Sequence, residues 1–314
     1  MNNYQLIAFD MDGTLLNSDK QISPETLNAI KRAGDAGKTV ILCTGRNLAE
    51  LNAFTEIIPG LRYLDCVSGA CVYDLKEKKT LYSQALDPGI VKKLMEFALE
   101  EEAMIHVLSE RSIVQRDQQS HMADFHMGIY QTMFDKITDK LENIYNSFCQ
   151  EPFPVLKLNL YHKDEYSRAR TVERIKAAGL ETALALAEST SLECSAKGID
   201  KGVGLKKLCE HLGLPLEQTI AVGDADNDTM ALKTAGLSIA MGNATEPIKA
   251  LADVIVADCD HNGCAEAIDK YLLAENWPQK QVQERLRGDI KYNGGIKYYE
   301  DQNCNFKLDL DALT

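Results

Sequence analysis

Asp10-Met11-Asp12-Gly13-Thr14 is the most informative stretch of this 314-residue chain, and it stands where an apolar run over residues 4–10 ends. In extended chain, two carboxylates two residues apart point to the same side. A turn imposed by Gly13 can bring both to one site. One carboxylate can then attack phosphorus and become an acyl phosphate. The other can give a proton to the leaving oxygen and later take one from water. Taken alone, the stretch is also readable as a strand followed by an Asp-Gly turn.

Two further strand ends carry polar groups. Thr44-Gly45-Arg46 follows TVILC and precedes a helical pattern. A hydroxyl, a small residue and a helix amino terminus together make a phosphate cradle, although an N-cap turn explains them as well. Gly223-Asp224-Ala225-Asp226-Asn227-Asp228 follows TIAV. Its carboxylates and amide suit a hard divalent cation such as Mg²⁺, and a solvated acidic helix start is the competing reading. A calcium loop fails on spacing. Counting from Asp224, Thr229 stands where that loop needs Gly and Ala235 where it needs Glu; counting from Asp10, those places hold Leu15 and Gln21.

These groups need strands to position them. Residues 4–10, 39–43 and 64–73 read as strands, with helices after Ser23-Pro24 and over about 47–57. The same alternation returns late in the chain. A helix over 201–213 carries the stripe Leu205, Leu208, Cys209, Leu212, followed by strands at 219–223, 237–241 and 253–257 and helices at 228–235 and 263–273. Such alternation predicts a parallel sheet flanked by helices. The middle differs. After Asp87-Pro88-Gly89 come a helix (90–101), a hairpin (103–108 and 111–116) and a polar, aromatic helical stretch over 118–149. A strand (155–161), a helix (165–178) and two strands (182–187, 191–195) follow. This middle reads as an α+β domain inserted into the first, with hinges near 84–88 and 195–199. Residues from about 275 form a polar tail with no strong period before LDLDALT.

Composition narrows the function. The net charge of −13 disfavours nucleic acid and anionic membrane as partners. No apolar run reaches the ~18–20 residues of a membrane helix, and Asp10 and Asp12 interrupt the first apolar stretch, so no signal peptide is read. The nine cysteines form no CxxC pair and are expected as buried, reduced thiols of a cytoplasmic protein. The six histidines lack metal spacing, and the Met and aromatic residues over 122–134 are expected in the core of the inserted domain.

Taken jointly, the motifs resemble the haloacid dehalogenase-like hydrolase superfamily, in its Cof-type sugar-phosphatase branch. DMDGTLL is similar to the family's first motif, Thr44 of TGR to its second, Lys201 of GIDKG to its third and GDADND to its fourth. The AMGNA segment and the DHNG turn at Asp260–Gly263 are also typical. The resemblance implies a doubly wound α/β fold with a Rossmannoid core and an inserted α+β cap of class IIB. It implies core segments at 1–84 and 197–274, a cap at 85–196 and a carboxyl-terminal extension at 275–314. It implies an Mg²⁺-dependent phosphomonoester hydrolase acting on a small phosphorylated metabolite. Asp10 would be nucleophile and metal ligand, and Asp12 the general acid/base with its carbonyl on the metal. Thr44 and Lys201 would hold phosphoryl oxygens, with Gly45, Arg46 and Asn227 in the phosphate or substrate site. Asp224, Asn227 and Asp228 would support the metal. A phosphomutase, or a binding protein using the tail, are the alternatives, and a homo-oligomer is left open. Ser68 stands where the family often has Asn, as does Cys259. The apolar tail residues Trp277, Ile296, Tyr298, Tyr299, Phe306, Leu308 and Leu310 predict docking on the core domain or another subunit.

Overall fold

The computed structural model describes residues 4–187 and 190–274, together with the backbone of 290–293 and 296–299. The first strand, β1 (Leu6–Phe9), is apolar on both faces, as a central parallel strand must be. Ile7 and Phe9 pack into one core with Ile30 of α1 (Pro24–Asp35), while Leu6 and Ala8 pack into a second core on the opposite face. Helix α1 starts where Ser23 Oγ accepts the Thr26 N–H at 3.1 Å and Pro24 occupies the first turn. Next come β2 (Thr39–Cys43) and α2 (Leu48–Thr55), the latter closed by a reciprocal capping box between Asn47 and Glu50.

The strand expected over 64–73 is two strands, β3 (Tyr63–Cys66) and β4 (Cys71–Asp74), paired antiparallel. The chain reverses because Val67, Ser68 and Gly69 all take positive φ, at 54°, 56° and 91°. The apolar character of the run hides this reversal, whose one cue is the Ser-Gly pair. A further strand, β5 (Lys79–Ser83), extends the edge.

The inserted region begins with α3 (Pro88–Glu100), β6 (Met104–Leu108) and β7 (Ser112–Gln115). The helical stretch expected over 118–149 is broken. It holds α4 (Arg116–Gln119), two 3₁₀ turns, α5 (Gln131–Ile137), strand β8 (Thr138–Leu141) and α6 (Ile144–Gln150). The left-handed residue His126 (φ 60°) interrupts it, and β8 is claimed by parallel pairing with β7. Then come β9 (Lys157–Tyr161), α7 (Glu165–Ala177), β10 (Thr182–Ala187) and β11 (Ser191–Ala196). One face of this sheet packs on α3, α6 and α7, through Leu94, Phe148 and Ile175 among others. On the other face Met122, Phe125, Met127 and Phe134 pack with Met104, Val114 and Tyr161.

The chain returns to the first sheet through α8 (Lys201–Leu212), β12 (Thr219–Gly223), α9 (Thr229–Thr234), β13 (Leu237–Ala240), α10 (Glu246–Leu251), β14 (Val254–Ile255) and α11 (Gly263–Ala267). The first sheet runs β14-β13-β12-β1-β2-β3-β4-β5, parallel from β14 to β3. The second runs β15-β16-β10-β11-β9-β6-β7-β8, where β15 (Ile290–Asn293) and β16 (Ile296–Tyr299) are a hairpin from the tail. The backbone of β16 pairs with β10 at Leu184↔Ile296, so the described part of the tail adds to the second sheet and not to the core domain expected to receive it. Trp277, Phe306, Leu308 and Leu310 lie outside the described residues.

Gly69, in the turn after β3, packs tightly against the start of α8. A Cβ there would overlap the carbonyl of Asp200, the residue that caps α8, and the φ of +91° is strained for any L side chain. Gly69→Ala should therefore lower stability by roughly 2 kcal/mol or more, read as a lower denaturation midpoint. A midpoint equal to wild type would contradict the packing described.

Candidate active site

The parallel order β12-β1-β2 sets three strand ends side by side, and ligands of open α/β sheets sit at the carboxyl ends of such strands. Asp10 directly follows β1, and its backbone N–H donates to Val222 O of β12 at 3.1 Å. Asp224 directly follows β12. The turn between the two motifs depends on Gly13, whose φ is +84° and where a Cβ would overlap the Asp224 carboxylate. That turn also brings Thr14 Oγ1 to donate to Asp224 Oδ1 at 2.6 Å.

Lys201 is the first residue of α8 and is 1% exposed. Asp200 Oδ1 accepts the Val203 N–H at 3.1 Å and so fixes where the helix starts. From there the Lys201 ammonium donates to Asp10 Oδ1 at 2.6 Å and to Asp228 Oδ1 at 2.5 Å. The other oxygen of Asp228 accepts the backbone N–H groups of Asp224 and Ala225, at 2.9 and 3.1 Å. One lysine thus ties the first, third and fourth motifs together.

Burial dominates the electrostatics here. It pushes Asp10 up to about 7, with Lys201 opposing and Asp228 reinforcing the rise. Burial also lifts Asp224, to about 6, against the hydrogen bond from Thr14. Burial works against the Lys201 charge, but the Asp10 and Asp228 carboxylates outweigh it and hold the ammonium well above its ordinary value. Asp10, Asp224 and Asp228 each offer an oxygen within 4.8 Å of the others. Three acids facing one fixed cation are short of positive charge, and an all-oxygen set of this kind fits a hard divalent cation.

Asp12 is not drawn into this cluster. Its carboxylate accepts Arg46 Nε and Nη2, both at 2.9 Å, and Lys20 Nζ at 2.9 Å. Burial alone would raise its pKa, but the Arg46 and Lys20 cations prevail and hold it below the ordinary carboxylate value. Thr44 is buried, and its Oγ1 accepts the Arg46 N–H at 3.3 Å. Gly45 turns its carbonyl to Lys157 Nζ of β9 at 3.0 Å. Asn227 sits exposed on the 3₁₀ turn Asp226–Asp228, so its side chain faces solvent while its neighbour Asp228 is buried. The residue Cys259 acts through its backbone, donating N–H to Asn243 Oδ1 at 3.0 Å; Asn243 in turn donates to Gly13 O at 2.8 Å.

Among the residues expected at the site, the structure thus gathers Asp10, Asp224, Asp228 and Lys201, and it binds Asp12 to Arg46 instead. Thr14, Lys20 and Lys157 carry contacts that spacing did not point to. For Lys157 the available cue was a lysine inside the apolar strand VLKLNLY.

Residues 7–268 match the haloacid dehalogenase-like hydrolase family. The chain belongs to that family. Phosphatase YwpJ of Bacillus subtilis (strain 168) is 28% identical over 306 residues, covering 86% of this chain and 100% of its own. An HMP-PP phosphatase of Yersinia pestis (strain Pestoides F) is 30% identical over 274 residues, covering 86% and 96%. The fold is shared with the subclass IIB sugar phosphatase BT4131, at a TM-score of 0.71 and 21% identity over 85% of this chain and 98% of that one. The chain is a phosphatase of this family, and its fold is the α/β core plus cap of these structures. Among the described residues no helix is long and apolar enough to cross a membrane.

The Asp12–Arg46 pair has a titration consequence. Because Asp12 ionises more readily in the folded state, the pair stabilises the fold above the unfolded carboxylate pKa, and that contribution is lost as pH falls through the depressed value. Arg46→Met should move the Asp12 pKa upward in a carboxyl ¹³C NMR titration. An unmoved pKa would contradict the pairing.

Proposed function

We propose that the protein hydrolyses phosphate monoesters of small soluble metabolites through an acyl phosphate on Asp10, with Mg²⁺ at Asp10, Asp224 and Asp228. The observation that carries this reading is the single buried lysine holding both Asp10 and Asp228 at the strand ends. In this reading residues 1–84 and 197–274 form the core, 85–196 the cap, and 275–314 an extension. The phosphatase relatives support a small phosphorylated substrate, and the Yersinia relative is named for HMP-PP.

The acidic set fits a divalent cation, which when bound would offset charge repulsion between the carboxylates and an incoming phosphate. Everything else falls to the chain. Lys201 restrains the Asp10 carboxylate and gives it a fixed line of attack. Asp10 attacks phosphorus, the ester P–O bond breaks, and the leaving oxygen needs a proton. Asp12 is the group placed to supply it, but its pairing with Arg46 and Lys20 holds it ionised. The Arg46 pairing must therefore loosen, or turn to the substrate phosphate, before Asp12 can carry a proton. Asp12 then takes a proton from water as that water opens the acyl phosphate, releasing inorganic phosphate and restoring Asp10. In this reading the Thr44 hydroxyl and the Gly45–Arg46 turn receive the remaining phosphoryl oxygens.

Asp10→Asn keeps shape but loses the nucleophile, so turnover of p-nitrophenyl phosphate should fall by roughly 10³-fold or more with the circular dichroism spectrum unchanged. Turnover within a few-fold of wild type would remove Asp10 from the role. Saturating Mg²⁺ should raise Tm in wild type, since it binds the native acidic set and not the unfolded chain. Asp224→Ala should abolish most of that rise. A Tm indifferent to Mg²⁺ would count against the metal assignment.

A further inference from the structure

Lys157, Asn159 and Tyr161 alternate along β9 and share one sheet face with Glu193 of β11 and His106 of β6, which register opposite Asn159. The Lys157 end of this face lies against the phosphate-cradle loop, where Lys157 Nζ crosses to Gly45 O at 3.0 Å and lies 3.4 Å from Ser68 Oγ, while Phe134 covers the His106 end. The same ammonium donates to Glu193 Oε2 at 3.1 Å, and Lys157 is 1% exposed. The lysine is therefore fully used by the protein itself and fixes Glu193 over the loop. Asn159 is also buried, at 8% exposure. Its Nδ2 donates to Tyr161 OH at 3.2 Å, and that hydroxyl also meets His106 Nδ1 at 3.2 Å. Asn159 Oδ1 has no hydrogen-bond partner among the described residues. A buried acceptor left unmade is expensive, and here it stands beside a carboxylate with exposed area remaining.

We propose that Asn159 and Glu193 form the specificity-determining site for the leaving group, selecting phosphate esters whose neutral leaving group presents hydroxyl or N–H donors. Both side chains offer acceptors, so the group they read must donate. The nearby cation is already paired with Glu193, so a second anionic group on the substrate is disfavoured. A site built to accept hydrogen bonds rejects an analogue that cannot give them, since its buried oxygens then go unpaired.

The inference rests on the phosphatase reading, and the test separates the two. With the full chain and Mg²⁺, kcat/KM is measured for glucose 6-phosphate, ribose 5-phosphate and glycerol 3-phosphate, and for cyclohexylmethyl phosphate, a primary alkyl ester without donors. Wild type should prefer the best donor-bearing ester. Asn159→Leu should lower that value by about tenfold or more while leaving cyclohexylmethyl phosphate within about twofold. Asn159→Asp, which keeps an acceptor, should retain most of the preference. If Asn159→Leu does not fold, Glu193→Met, which removes the acceptors at the second position, should show the same selective direction of loss. Equal losses on both kinds of ester, or a wild-type preference for cyclohexylmethyl phosphate, would overturn the proposal and leave the phosphatase reading standing. Wild type that turns over none of these esters, nor p-nitrophenyl phosphate, would overturn both.

Discussion

The structure hangs on one buried ammonium. Lys201 is taken out of water together with Asp10 and Asp228, and an ion cluster of this kind is tolerated only when its hydrogen bonds are nearly complete. They are: Asp228 uses one oxygen for Lys201 and the other for two backbone N–H groups, and Asp224 is held by Thr14. What the cluster lacks is positive charge. Burial lifts Asp10 to about 7 and Asp224 to about 6, and the Asp228 charge adds to both, a strain that a bound divalent cation would relieve.

The fold makes this cluster affordable. Parallel strands β12, β1 and β2 end together, so residues far apart in the chain meet without long loops. The apolar faces of those strands fill two cores, leaving polar groups only at the strand ends. The second sheet then sets Lys157 against Gly45, on the loop whose Arg46 holds Asp12. Contact between the two sheets is thereby joined to the state of the proposed acid, through the consecutive residues Gly45 and Arg46 of one turn.

Much of this was legible in the sequence, for a physical reason. Asp10 and Asp224 follow short apolar strands whose patterns are unambiguous, and Gly13 marks a turn that only glycine makes without strain. Helices α1 and α8 were readable from a capping residue with a first-turn proline and from an apolar stripe, at Ser23-Pro24 and over Leu205–Leu212. The reversal at Val67–Gly69 was not, because a β-branched residue at positive φ is held there by tertiary packing rather than by local preference. Strand β8 was hidden in the same way, since TDKL is polar and becomes a strand through pairing with β7. The Asp12–Arg46 and Lys157–Gly45 contacts join segments far apart in sequence, and spacing carries no trace of them. The acidic motif read as a unit also divides: Asp228 turns inward while Asn227 stays in solvent.

The central claim is that Lys201 holds Asp10 as the atom that receives the phosphoryl group. The most direct measurement is acid quenching during the first turnover with excess enzyme, followed by peptide mass spectrometry. The account predicts a transient phosphoryl group on the peptide containing Asp10, removed by hydroxylamine as an acyl phosphate is. Phosphate released through the first turnover with no phosphoryl group on the chain, or one carried by another residue, would contradict it.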